Sequence, residues 1–282
     1  MNTSGMNTSG MNSADISKGE YLITNASEFD LSRHPSRIDV GLSKKELKAQ
    51  MKTDARAIRD LAHKLYGEAD RSLLIVLQGM DTSGKDSTTS AIFACTPPLN
   101  VKVKGFRAPS KREAAQDYLW RIHNACPAAG EITVFNRSHY EDVLVVKVRE
   151  FASAEAIEQR YSQINDFERH LTENGTTVLK FMLNISYETQ GERLMERLVQ
   201  PGKRWKFNPG DLEDRKLWPQ FMSAYETMVQ RTSTAHAPWH VIPSDNRSVR
   251  KAIITAKVRE TLEAMNPAYP DPGYRPEHFD IG

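Results

Sequence analysis

The sequence predicts an α/β protein, a three-layer sandwich around a five-stranded, parallel, doubly wound sheet. Three observations carry that expectation. Five short apolar runs, 73–77, 101–106, 132–135, 178–183 and 239–242, are spaced by longer stretches of helical periodicity, the spelling of repeated βαβ units. The run Leu73-Leu74-Ile75-Val76-Leu77 has no polar face, as a strand buried on both sides requires. A chain of 282 residues buries enough surface to fold without disulfides or structural metal.

Taken in order, residues 1–12 read MNTSG-MNTSG-MN, a polar repeat with nothing to bury, so 1–20 is expected to be a disordered tail. Residues 21–282 are expected to form a single domain, opening on an irregular stretch (21–40) that wraps over it. From Ser43 to Tyr66, Leu47, Met51, Ala55, Ile58, Ala62 and Leu65 recur at three- and four-residue steps, so a helix precedes the first strand. A glycine turn and a helix from Lys85 to Cys95 follow it. The alternation then continues through strand 101–106, helix 111–123, strand 132–135 and helices 141–151 and 154–173, the last closed by Gly175 as a C-cap. Strand 178–183, helix 187–198, helix 211–231, strand 239–242 and helix 249–265 complete it. Trp218, Phe221 and Tyr225 stand at helical spacing, which marks them as packing.

Composition narrows the function. Thirty-eight basic against 36 acidic residues give a net charge of +2, which excludes a histone-like polycation. The two cysteines, Cys95 and Cys126, lie in no CxxC or Cys/His pattern, which argues against a zinc finger or a disulfide scaffold and fits a reducing, cytoplasmic setting. No run approaches the length of a membrane span, and no secretory leader is read at the N-terminus.

The strongest motif is Gly79-Met80-Asp81-Thr82-Ser83-Gly84-Lys85-Asp86, a GxxxxGK phosphate loop between a buried strand and a helix. Gly79 and Gly84 let the backbone turn its amides inward, with Thr82 and Ser83 between them, and the helix N-terminus adds an anion site. Lys85 is expected to bridge phosphate oxygens. A carboxylate beside bound phosphate is repulsive unless a cation separates them, so Asp81 is assigned to a magnesium ion. Asp86 stands where Ser or Thr commonly meets that ion. It reads equally as a ligand or as a helix acid favoured by the dipole.

A second polar cluster, Asn136-Arg137-Ser138-His139-Tyr140-Glu141-Asp142, follows strand 132–135, where open α/β sheets bind ligands. Arg137 offers a rigid, always-charged fork to a transferring phosphoryl group. Asn136 and Glu141 are counted with the site, whereas His139 reads as structural. Two basic segments flank the loop: Val101–Arg112, with no acid, and Arg193–Phe207, which carries Arg193, Arg197, Lys203, Arg204 and Lys206 against Glu196 alone. Pro201-Gly202 makes the second a loop leaving a helix, the form of a lid (199–216) that closes over phosphates and excludes water. Trp205 within it is an aromatic available to stack on a base. Two such runs point to a substrate with many negative charges: a nucleotide, a nucleic acid or a linear polyphosphate.

These segments resemble the polyphosphate kinase 2 family. The likeness runs from about Leu47 to Leu262 and rests on GMDTSGKDS (79–87), FRAPS (106–110), DYLWRIH (117–123), FNRSHYEDVLV (135–145), ERLMERL (192–198), KRWKFNPGD (203–211) and APWHVIPSD (237–245). It implies a thymidylate-kinase-like α/β/α fold with a helical lid, and phosphoryl transfer between inorganic polyphosphate and AMP, ADP or ATP. It further implies Mg²⁺, or Mn²⁺ in its place, at Asp81, phosphate contact by Lys85, phosphate clamping by Arg137 and Arg193, lid roles for Lys203, Arg204 and Lys206, and a homodimer or tetramer. Asn-Arg-Ser-His-Tyr-Glu (136–141) is similar to the branch that accepts nucleoside monophosphates and often diphosphates. Its Asn136 replaces a carboxylate by a poorer magnesium ligand. The rivals are an ATP-dependent nucleotide or metabolite kinase and a nucleotide-gated switch, the latter disfavoured because no NKxD motif is present. Neither nucleic acid nor membrane is an expected partner.

Overall fold

The computed structural model describes residues 19–275 with Ile16, Glu277, Phe279 and Asp280. The expected N-terminal tail lies almost wholly outside the described residues.

Five strands form one all-parallel sheet in the order β2-β3-β1-β4-β5: β1 (Ser72–Gln78), β2 (Val101–Gly105), β3 (Ile132–Asn136), β4 (Thr176–Asn184) and β5 (Trp239–Pro243). β1 sits between β3 and β4, and every one of its residues is buried. Its side chains alternate between two cores. Leu73, Ile75 and Leu77 pack with α1 (Lys44–Glu68) and α10 (Arg247–Met265), whereas Leu74 and Val76 pack with α6 (Ala154–Glu173) and α9 (Trp218–Thr232). This two-sided burial is why β1 reads as a continuous apolar run.

β2 departs from that rule. It lies at an edge, with Lys102, Val103 and Lys104 exposed, and lysines are a usual defence of an open edge. The opposite edge is covered. Residues 19–40 run irregularly along β5: the Ile23 amide donates to Trp239 O (2.9 Å) and the Val241 amide to Tyr21 O (2.8 Å), with Tyr21, Ile23, Phe29 and Leu31 buried.

Three expected helices are broken, each for a local reason. α3 (Lys111–Ala114) stops before Asp117, whose carboxylate accepts from the Leu119 and Trp120 amides and so sets the turn that opens α4 (Trp120–His123). The segment after β3 is a 3₁₀ turn, His139–Val143, then α5 (Val145–Val148), because Ser138 and Leu144 adopt non-helical dihedrals. Pro219 cannot continue a preceding helix, so α8 (Gly210–Lys216) stops and α9 restarts at Trp218. α2 (Lys85–Ile92) and α7 (Tyr187–Val199) match expectation, and Gly175 takes φ +84° just beyond α6. Phe221 and Tyr225 are core residues. Among the described residues, no helix is long and apolar enough to cross a membrane.

One buried titratable group makes a stability prediction. Burial pushes His240 down to about 4, with its Nδ1 3.2 Å from Lys180 O. A histidine pKa depressed on folding adds stability above the unfolded value, about 6.5, and that stability drains away as pH falls towards 4. Between pH 7 and pH 5 this group alone removes about 2 kcal/mol. His240→Gln should flatten that segment of a stability-versus-pH curve from urea denaturation. An unchanged slope would refute the assignment.

Candidate phosphate-binding site

The loop after β1 is shaped by backbone that few residues adopt. Gly79 has φ +150°, and a Cβ there would meet Leu183 O at 2.8 Å and Ser83 Oγ at 2.9 Å. Gly84 begins α2 with φ +109° and no side-chain cap, so the first-turn amides of that helix are left for a ligand. Thr82, between the two glycines, is also left-handed at φ +66°. So is Arg137 at the end of β3, φ +64°. Left-handed backbone at non-glycine residues costs about 1–3 kcal/mol each, and here it occurs at both halves of the site.

Lys85 is buried and folds back over the loop, its Nζ donating to Gly79 O (2.6 Å) and Met80 O (3.2 Å). Desolvation lowers its pKa, opposed by the Asp81 charge. Arg137 Nη2 donates to Asp81 Oδ1 at 2.6 Å, and its Nη1 lies 3.7 Å from Glu141. Burial pushes Asp81 up, but Lys85 and Arg137 outweigh it and hold that carboxylate below its ordinary range. At Glu141 burial wins and the pKa is raised.

Asp86 has partners that the sequence did not suggest. Its Oδ1 accepts from Asn136 Nδ2 (2.6 Å), and its Oδ2 lies 3.4 Å from Lys206 Nζ. It therefore ties the end of β3 to the basic segment. Asn136, in turn, spends its amide on Asp86.

Arg193 lines the cavity, but its two terminal nitrogens donate to four carbonyls: Thr82, Ser83, Ser244 and Asp245. Arg250 does the same from α10, donating to Ser83 O (2.7 Å), Ser244 O, Thr88 Oγ1 and Ser87 Oγ. Burial, then repulsion from Arg193 and Arg247, pushes Arg250 down to about 9. The loop is thus pinned from behind by two buried guanidiniums.

The basic segment continues as a 3₁₀ stretch, Pro201–Lys206, leading to α8. Lys203 pairs with Glu196 (3.1 Å), and Arg204 turns away to Leu198 O (2.9 Å). Trp205 is 78% exposed, with Lys206 Nζ 5.0 Å from its ring. Beyond them lies Asp211, buried and held by Arg197 at 2.9 Å. Burial, and the Asp81 carboxylate that it faces, push Asp211 up to about 6.

These groups enclose a cavity of about 620 Å³ whose walls carry ten basic side chains against four acids. It brings together Asp81, Thr82, Gly84, Lys85, Asp86, Asn136, Arg137, Arg193, Lys203, Trp205 and Lys206; Gly79, Ser83, Glu141 and Arg204 stand behind or beside its wall. The sequence reading missed Asp211 and the α10 cations Arg247, Arg250 and Lys251 as site residues. A signal for the latter exists: no acid stands in the first turn of α10, although acids are what a helix N-terminus normally attracts.

Residues 41–270 match the family described as Polyphosphate kinase 2. The AMP/ADP-polyphosphate phosphotransferase of Meiothermus ruber is 46% identical over 217 residues, covering 77% of this chain and 81% of that one. The ADP-polyphosphate phosphotransferase of Rhodopseudomonas palustris is 32% identical over 91% of this chain and 93% of its own. The crystal structure of polyphosphate kinase 2 from Arthrobacter aurescens TC1 superposes with a TM-score of 0.86 at 37% identity, covering 89% of this chain and 91% of that one. With a phosphate loop, a basic cavity and a parallel sheet already in place, these matches mean that the chain belongs to the polyphosphate kinase 2 family.

Proposed function

We propose that this chain moves a phosphoryl group reversibly from inorganic polyphosphate to AMP or ADP. The observation that carries the reading is the concentration of ten cations against four acids around the phosphate loop of a chain whose net charge is only +2. One nucleotide does not need that excess; a nucleotide facing a polyanionic chain does.

In this reading the terminal phosphate oxygen of the nucleotide attacks the end phosphorus of the chain in line, and the shortened polymer leaves. Lys85 and Arg137 sit where the three equatorial oxygens gather charge. Arg193 and Arg250 keep the loop backbone in its strained shape, so its amides need no reorganisation. Segment 199–216 acts as the lid, with the Lys206–Asp86–Asn136 link as its latch and Trp205 at the mouth, available to a base. Lys203 adds positive charge on the inner wall and Arg204 braces the lid backbone.

Magnesium fits the donor set. Phosphoryl-transfer sites hold it by one or two carboxylates, with substrate oxygens and water completing the shell. Asp81 and the facing Asp211 would supply that pair, and a bound cation would relieve their repulsion. Bound there, Mg²⁺, or Mn²⁺ on the same oxygens, neutralises charge between donor and acceptor phosphates.

A nucleotide panel separates this from an ATP-dependent kinase. AMP with long-chain polyphosphate, divalent ion and no ATP should yield ADP and then ATP, followed by ³¹P NMR. Product only when ATP is the donor would overturn the assignment.

A further inference from the structure

A buried ionic cluster beneath the β3 turn is unused by the transfer reading. Lys180 on β4 donates its three ammonium hydrogens to Glu168 Oε2 (2.6 Å), Tyr140 OH (2.7 Å) and Thr232 O (2.8 Å). Its charge also lies 5.2 Å from the Tyr140 ring and 5.0 Å from that of Trp239. Glu168 Oε1 accepts from Tyr140 OH (2.7 Å) and faces His139 Nε2 (3.2 Å), which assigns the ring proton to Nε2. His139, Tyr140, Glu168, Lys180 and Trp239 are all fully buried.

Stability is a poor reason for such a pair. Desolvating each ion costs several kcal/mol, and apolar replacements of similar volume are often neutral or better. What the pair holds is more telling. Both side chains that reach down to it, His139 and Tyr140, belong to the turn that begins at Arg137. That turn is also fixed above: the Arg137 amide donates to Leu77 O (3.1 Å), and Ser138 Oγ accepts from the Tyr140 amide (3.2 Å). Arg137 itself sits at φ +64° with its guanidinium on Asp81. Left-handed backbone persists only where its surroundings over-determine it.

We propose that Glu168 and Lys180, acting through His139 and Tyr140, are positioning residues that hold Arg137 in its strained, site-facing conformation. The inference rests on the transfer reading for the role of Arg137.

The test uses Tyr140→Phe, which keeps the ring and removes one hydroxyl, and the charge-free double variant Glu168→Leu/Lys180→Met. Each is measured for kcat, both KM values, thermal midpoint and the ¹⁵N resonance of Arg137 Nε–H. Tyr140→Phe should lower kcat about tenfold, with both KM values within about twofold and the Arg137 signal shifted or broadened. The double variant should do at least as much while its midpoint stays within a few degrees. Tyr140→Phe decides alone if the double variant does not fold. A kcat within twofold of the parent in folded Tyr140→Phe overturns the proposal, as does a fall in kcat with the Arg137 resonance unmoved. If the parent transfers no phosphoryl group, the transfer reading has failed, and the Arg137 resonance still judges the positioning.

Discussion

Lys85→Ala should lower kcat at least about a hundredfold, some 2.7 kcal/mol of barrier, while leaving the thermal midpoint unchanged or higher. The two halves of that expectation come from the same geometry. Lys85 is buried against Gly79 O and Met80 O, with its charge poorly solvated and no carboxylate of the described residues within ion-pair distance. Without substrate the ammonium is therefore a cost, offset in part by two backbone carbonyls and by the charges of Asp81, Glu141 and Asp86. Bound phosphate is the partner that repays its desolvation, and the charge that develops on the moving phosphoryl group rewards it most. Alanine removes the cost in the free protein and the reward in the transition state. KM for the nucleotide should move less than about threefold, because the contact strengthens as transfer proceeds. Steady-state kinetics with polyphosphate as donor, beside a thermal melt of the ligand-free protein, checks both halves. Near-normal turnover would mean that the transferring group lies elsewhere, and a collapsed midpoint would mean that Lys85 is mainly structural.

Much of the fold was legible because burial writes itself into sequence. β1 is buried on both faces, and only a continuous apolar run satisfies that. The phosphate loop was legible because its glycines answer to backbone geometry, φ +150° at Gly79 and +109° at Gly84. Three expected helices came apart where one residue overrode periodicity: Asp117 setting a turn, Ser138 bonding its own turn, Pro219 lacking a donor. The run 101–106 read as one of five apolar strands, yet β2 is an exposed edge, since so short a run does not reveal which strand ends the sheet. The site was readable one segment at a time and opaque between segments. Nothing local to Asp86 predicts that Asn136 and Lys206 will share it. The family resemblance implied a phosphate clamp at Arg193; the fold shows in addition that four carbonyls occupy its terminal nitrogens. Asp211 and Arg250 were missed for the same reason. Each acts on the loop from a distant part of the chain.

Gly84→Ala tests that long-range dependence most directly, and it should destabilise the protein by at least about 3 kcal/mol. Two mechanisms add. At φ +109° a Cβ costs about 1–3 kcal/mol of backbone strain. The new methyl would also stand 2.3 Å from Arg250 Nη2 and 2.4 Å from its Cζ. A flexible arginine tip would ordinarily swing aside, but this one is 1% exposed and donates to Ser83 O, Ser244 O, Thr88 Oγ1 and Ser87 Oγ. Moving it leaves a buried charge with its hydrogen bonds broken, at about 1.5–3 kcal/mol for each bond to a charged group. Arg250→Ala alone is destabilising because it orphans the loop carbonyls. In the double variant the clash is gone, leaving the strain and the loss of Arg250's own bonds, so the combined loss should fall short of the sum of the two single losses by about 1–3 kcal/mol. Urea denaturation of the four proteins gives the coupling, and titration calorimetry with tripolyphosphate reports whether the loop still grips an anion. Strict additivity would mean that Arg250 does not brace Gly84. In that case the loop would owe its shape to the backbone of residues 79–84 alone.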